Sequence, residues 1–224
     1  MGNEATTALF DYLRGQGAPR VLSTRMLARQ VDMAPATFAR HVARATRMGL
    51  LRPVRAGLFL NALALPAVAL AEATPFVRSG AVVSLQTVLG DAAVLNNFTP
   101  DVTAVLPLEG LNSAAGEVSV RGGRFHFRRL RNALLYAGDI GDRLVPGLTY
   151  ARATPERALI DWLILGGSAR SDLCAAPAHD LDLDGLDEAR LWRLARATGM
   201  EAGLDALYQA VARATEHAES YPRF

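Results

Sequence analysis

Pro35 opens a run in which Phe38, Val42 and Ala45 recur at i, i+4 and i+7, one apolar face of a helix. Proline suits the first helical position, where its missing N–H costs no hydrogen bond, so the helix is expected to begin there. At 100° per residue, Thr37, Arg40, His41 and Arg44 gather on the opposite side within about 100° of one another. Such a helix must lie apolar side down on a packed body and present its arginines to solvent or to a polyanion.

The flanking segments define that body. Ala8, Leu9, Tyr12 and Leu13 predict a first amphipathic helix ending near Gly15 and Gly17. A second begins near Ser23 or Thr24, either able to cap it, and turns Leu27 and Val31 inward. Asp32-Met33-Ala34 then forms a short turn before Pro35. After Gly49, Leu50 to Val54 and Leu58 to Leu60 are two short apolar runs about Arg55-Ala56-Gly57, a hairpin whose first strand Pro53 confines to an edge. Three helices followed by a hairpin predict a winged helix-turn-helix over residues 1–62, with a second unit over 63–224.

Charge is distributed to match. All 24 basic residues are arginine. Residues 1–60 hold nine Arg against three acids, giving +6; residues 180–224 hold five against nine, giving −4. A basic head on a neutral-to-acidic body points to a polyanion as the head's partner. In duplex DNA, Thr37 and Arg40 suit base edges, because Arg can donate two hydrogen bonds to guanine, while His41, Arg44 and Arg47 suit the phosphate backbone. Ser23, Thr24 and Arg25 on the second helix, Ala36 on the third, and Arg52 and Arg55 on the wing complete the expected contact set.

The remaining chain predicts an α+β body with a small, mainly antiparallel sheet and several helices. Ser84 is a candidate cap for a helix from Leu85 to Val94, and Asp101 to Leu106 a short buried strand. Glu117 to Arg121 and Arg124 to Leu130 flank Gly122-Gly123, a hairpin signal. On the second of these strands Phe125 and Phe127 face one way, and Arg124, His126 and Arg128 form a second basic row facing the other. Thr154-Pro155-Glu156 starts a helix on which Arg157 and Asp161, four apart, can pair. Leu191, Leu194 and Ala195, then Leu204, Leu207, Tyr208 and Val211, predict two further helices separated at Gly199-Met200.

The stretch from Ser23-Thr24-Arg25-Met26-Leu27 through Ala34-Pro35-Ala36-Thr37-Phe38-Ala39-Arg40-His41-Val42 to Gly49-Leu50-Leu51 resembles the winged helix-turn-helix of bacterial repressors, with Ala34 in place of the usual Ser or Thr cap. With Gly80-Ala81-Val82-Val83-Ser84 and the Thr-Pro-Glu-Arg-x-Leu-x-Asp helix at residues 154–161, the order of motifs resembles the AbiE-type antitoxin and transcriptional regulator family. That resemblance implies an autorepressor of a toxin-antitoxin or phage-defence operon. Its DNA partner would be its own promoter, and its body would neutralise a nucleotidyltransferase-like toxin. A homodimer reading two half-sites fits such a regulator. Alternatives are a ligand-responsive winged-helix repressor without a toxin partner, and a nuclease-like DNA-processing protein.

Enzymatic signals are weak. No lysine is available for a phosphate-binding loop, a Schiff base or a restriction-type nuclease motif. Asp101 and Glu117 suggest a metal-dependent nuclease, but Ser119 stands in the lysine's place. Asp180-x-Asp182-x-Asp184-Gly185 opens like a calcium loop, yet its twelfth position is Leu191 rather than a bidentate carboxylate. Glu156 with Asp161, and Cys174 with His179, lack the companions catalysis needs. No enzyme activity, cofactor or metal is expected. A single cysteine fits a reducing cytoplasm, and the apolar stretch Ala56 to Ala71 is too short and interrupted for a membrane span.

Overall fold

In the computed structural model, residues 2–30, 34–96, 99–109, 114–168 and 173–219 are described, and they form an α+β protein. The head contains α1 (Gly2–Arg14), β1 (Val21–Ser23), α2 (Thr24–Gln30), α3 (Pro35–Arg47), β2 (Leu51–Arg55) and β3 (Leu58–Asn61). Leu9 and Leu13 of α1, Leu27 of α2, and Phe38 and Ala45 of α3 are buried in one apolar cluster, with Tyr12 and Val42 packed against it. Ala8, expected on the same face of α1, is exposed. The Oγ of Ser23 accepts from Met26 N at 3.1 Å and caps α2, whereas Ala34 offers α3 no side-chain cap. Val31, Asp32 and Met33, which carry the expected inward contact and most of the turn, lie outside the described residues.

The three head strands are antiparallel in the order β1-β3-β2, with Val21 opposite Leu60 and Leu22 opposite Phe59. Strand β1 carries no signal in the sequence, since three residues are too few to show a period. Its pairing explains why Leu58-Phe59-Leu60 is continuously apolar: both faces of the sheet are covered. Leu22, Leu51 and Phe59 point to the helices of the head. Val21, Val54, Leu58 and Leu60 point the other way, into the larger apolar cluster of the body.

That body begins with a 3-10 turn (Leu70–Ala73) and α4 (Thr74–Val77), followed by β4 (Val82–Val83), α5 (Gln86–Asp91), β5 (Val102–Pro107), β6 (Gly116–Val120) and β7 (Gly123–Leu130). The sheet order is β4-β5-β7-β6. Two of its pairings are antiparallel, but the central one, β5 with β7, is parallel, which accounts for the almost wholly buried apolar run of β5. The short helices α6 (Asn132–Leu135) and α7 (Ile140–Arg143) precede α8 (Pro155–Gly166), α9 (Glu188–Thr198) and α10 (Glu201–Glu219).

Two local expectations are corrected. The β6–β7 turn consists of Arg121 and Gly122, because Val120 pairs with Gly123, which already belongs to β7. Ser84 does not cap α5; its hydroxyl donates instead to Asp161 Oδ2 at 2.7 Å. The helix is shorter than expected because Leu85 and Ala93 adopt positive φ angles of 58° and 56°. A buried leucine in that region is strained by about 1 kcal/mol or more. Its neighbours hold it there: Thr103 Oγ1 donates to Ser84 O at 2.6 Å, and Thr87 N to Thr103 Oγ1 at 3.0 Å.

Residues 154–161 knit the body together. Thr154 caps α8 through Arg157 N, as its position before Pro155 predicts. Arg157 and Asp161 form a fully buried pair at 2.7 Å, and the guanidinium also donates to Leu134 O and Ala137 O. Glu156, buried as well, accepts from Asp187 N and Arg190 Nη1 at the start of α9. Asp180, Asp182 and Asp184 form a backbone-pinned loop: Asp180 O accepts from Asn96 N, Asp182 N donates to Val94 O, and Asp184 N donates to Asp182 Oδ1.

Candidate nucleic-acid interface

The expected contact residues of α3 divide by depth. Ala36, Arg40, Arg44 and Arg47 are exposed, and Thr37 and His41 are half-buried beside them. The helix contains no acidic residue. Burial of Phe38 and Ala45 fixes its rotation, so its arginines face away from the head. Arg40 Nη2 donates to Thr37 Oγ1 at 3.3 Å, linking the two side chains assigned to base edges. Arg25 is exposed on α2. Ser23 has its hydroxyl engaged in the α2 cap. Thr24 donates its amide to Gly57 O at 2.8 Å, and its hydroxyl sits where a Cβ on Gly57 would approach to 3.1 Å. The wing turn is therefore seated directly on the start of α2.

The wing arginines have a role that their sequence positions do not reveal. Arg52 donates to Val68 O and Arg55 to Phe76 O, both carbonyls of the body. Arg20, ahead of β1, completes a clasp: its guanidinium bonds both oxygens of Glu72, at 2.6 and 2.8 Å, and Pro66 O at 3.0 Å. The hydrogen bond to buried Glu72 raises the pKa of Arg20 against the cost of its own burial. These contacts join residues 46 to 52 apart and 16 to 21 apart, so no local spacing announces them. Arg55→Ala is expected to lower stability by about 1 kcal/mol, a lost exposed hydrogen bond. The same variant should bind DNA within about twofold of wild type, as a tethering rather than contacting residue. A tenfold weaker gel shift would return Arg55 to the DNA contact set.

The second basic row is largely neutralised. Arg124 Nη2 lies 2.8 Å and His126 Nε2 3.2 Å from Asp101 Oδ2, and Glu117, opposite His126 in the β6–β7 ladder, stands within 3.9 Å of both side chains. Burial pushes the Asp101 carboxyl up, but the bonds from His126 and Arg124 outweigh it and hold its pKa below the ordinary range. Arg128 is half-buried, and desolvation lowers its pKa. Asp101 and Glu117, the carboxylates that suggested a nuclease, thus serve as counter-charges to this row. Cys174 is exposed, and its carbonyl accepts from Trp162 Nε1 at 2.9 Å. Beside it, Leu95, Trp162 and Pro177 line a cleft of about 300 Å³.

Among the described residues, no helix is long and apolar enough to cross a membrane. No protein-family model and no curated protein matches the chain. Its fold is similar to that in the crystal structure of the RV2827C protein from Mycobacterium tuberculosis, with a TM-score of 0.55 over 98% of this chain and 82% of that one. At 14% sequence identity, the likeness is one of fold alone.

Proposed function

We propose that the protein is a DNA-binding transcriptional regulator that lays α3 in the major groove of its own promoter and represses an operon. The observation carrying this reading is the exposed, acid-free face of Arg40, Arg44 and Arg47, flanked by Thr37 and His41, on a helix whose rotation Phe38 and Ala45 fix. A recognition helix needs short polar groups and arginine at base edges, further cations at phosphates, and a rigid support. In line with the AbiE-type resemblance, the body neutralises a nucleotidyltransferase-like toxin encoded beside it, and the protein acts in the cytoplasm as a homodimer without catalysis of its own.

A mobility shift on the promoter across a salt series tests the DNA reading. Contact with four to six phosphates gives a log-log slope of about −4 to −5. No shift at low salt, or a flat slope, overturns it. Co-purification with the product of an adjacent nucleotidyltransferase-like gene tests the antitoxin reading separately.

A further inference from the structure

The β6–β7 turn meets the head at the outer edge of its sheet. Strand β2 is the edge of the order β1-β3-β2, and the carbonyl of Val54 on that edge accepts from Arg121 N at 2.8 Å. The body hairpin therefore continues the wing laterally. Its position is firmly held. Gly123 sits at φ +154°, and a Cβ there would come within 3.0 Å of Leu70 Cδ2 and 3.1 Å of Pro100 O. Leu70 opens the 3-10 turn that lies between the two carbonyls anchoring Arg52 and Arg55.

The charge at this tip differs from that of the strand behind it. Arg124 is countered by Asp101 and Glu117. Arg121 is exposed at the apex, and among the described residues its guanidinium has no partner. The tip and α3 both rest on strand β2. The helix packs against β2, and at about 3.3 Å per residue Val54 lies roughly 10 Å along that strand from Leu51, where the chain enters the sheet after α3 ends at Arg47. Arg52 and Arg55 each direct one guanidinium N–H to a body carbonyl, whereas Arg121, on a backbone held against the same strand, keeps its whole guanidinium open to solvent beside them.

We propose that the β6–β7 tip is a second wing, with Arg121 contacting a backbone phosphate of the same duplex that α3 engages. The contact rests on the DNA-binding reading above and adds a residue from the body to the DNA footprint. Bound at a phosphate, Arg121 contributes affinity without sequence preference and releases about one counterion.

Fluorescence anisotropy tests this with labelled promoter and scrambled duplexes across a salt series, using full-length wild type, Arg121→Ala, Arg121→Gln, Arg121→Lys, Arg40→Ala and Arg129→Ala. Arg129 is exposed, about 20 Å along β7 from the tip, and controls for net charge. Both neutral Arg121 variants should weaken binding to the two duplexes equally, roughly eightfold near 0.1 M salt, and make the slope shallower by about 0.9. Arg121→Lys should keep the wild-type slope, and so should Arg129→Ala. Wild-type affinity and slope in the neutral Arg121 variants would overturn the second wing, and so would an equal loss in Arg129→Ala. If wild type fails to bind either duplex, the DNA reading falls and this contact with it. If wild type binds and only Arg40→Ala loses affinity, the second wing alone is overturned.

Discussion

Arg157→Met is expected to destabilise the protein by about 3–5 kcal/mol, the usual effect of removing one partner from a buried ion pair. The guanidinium holds three acceptors, Asp161 Oδ1, Leu134 O and Ala137 O, at a site where both charged side chains are 2% exposed or less. Without it, Asp161 keeps, among the described residues, the hydroxyl of Ser84 alone, and burial drives its carboxyl toward the protonated form. Burial already holds its folded pKa above the unfolded value against the pull of Arg157 and Ser84, and loss of Arg157 raises it further. The variant's deficit should be smallest below the unfolded pKa and grow as pH rises through the folded one. Arg157→Met with Asp161→Leu should fall between wild type and the single variant. That pair removes the stranded charge but leaves Ala137 O and Ser84 short of a partner, each worth about 1–3 kcal/mol, while Leu134 O keeps the amide of Ala137. Urea midpoints at several pH values read all of this, and a single variant within 1 kcal/mol of wild type would show the network to be dispensable.

The largest effect on DNA binding is expected at Arg40. If it bonds a guanine edge, Arg40→Ala costs about 1–3 kcal/mol on the promoter and relaxes discrimination at one base pair. Arg44→Ala should instead weaken promoter and scrambled duplexes alike and reduce the salt slope by about one phosphate. Titrations on duplexes substituted one position at a time separate the two patterns. Uniform loss in Arg40→Ala, with no position relaxed, would reassign Arg40 to the backbone.

Much of the head is legible from local chemistry. Pro35, the Phe38–Val42–Ala45 face and the Gly57 turn lie within the reach of helix and hairpin periods, and the structure forms the corresponding elements. The Arg157–Asp161 pair is legible for the same reason, since four residues make one helical turn. What local spacing does not encode is the long-range use of familiar side chains. Ser84 has the look of a cap, but Asp161, 77 positions away, claims its hydroxyl. Arg52 and Arg55 have the look of wing cations, but body carbonyls accept from both. The parallel pairing of β5 with β7 is also invisible locally, because a buried apolar strand shows no alternation from which to read its neighbours' direction.

The doubly covered strand β3 bears on how such a chain can evolve. Val21, Val54, Leu58 and Leu60 belong to the head by sequence and to the body by packing. A recombination event that joined this head to an unrelated body would leave these four side chains without cover, at about 1.5–3 kcal/mol for each one fully uncovered. On the proposed DNA-binding role, new specificity is therefore more accessible through substitutions on the outward face of α3, where Ala36, Arg40 and Arg44 contribute nothing to that shared surface, than through exchange of whole heads. The reading surface can drift while the unit that carries it is inherited intact.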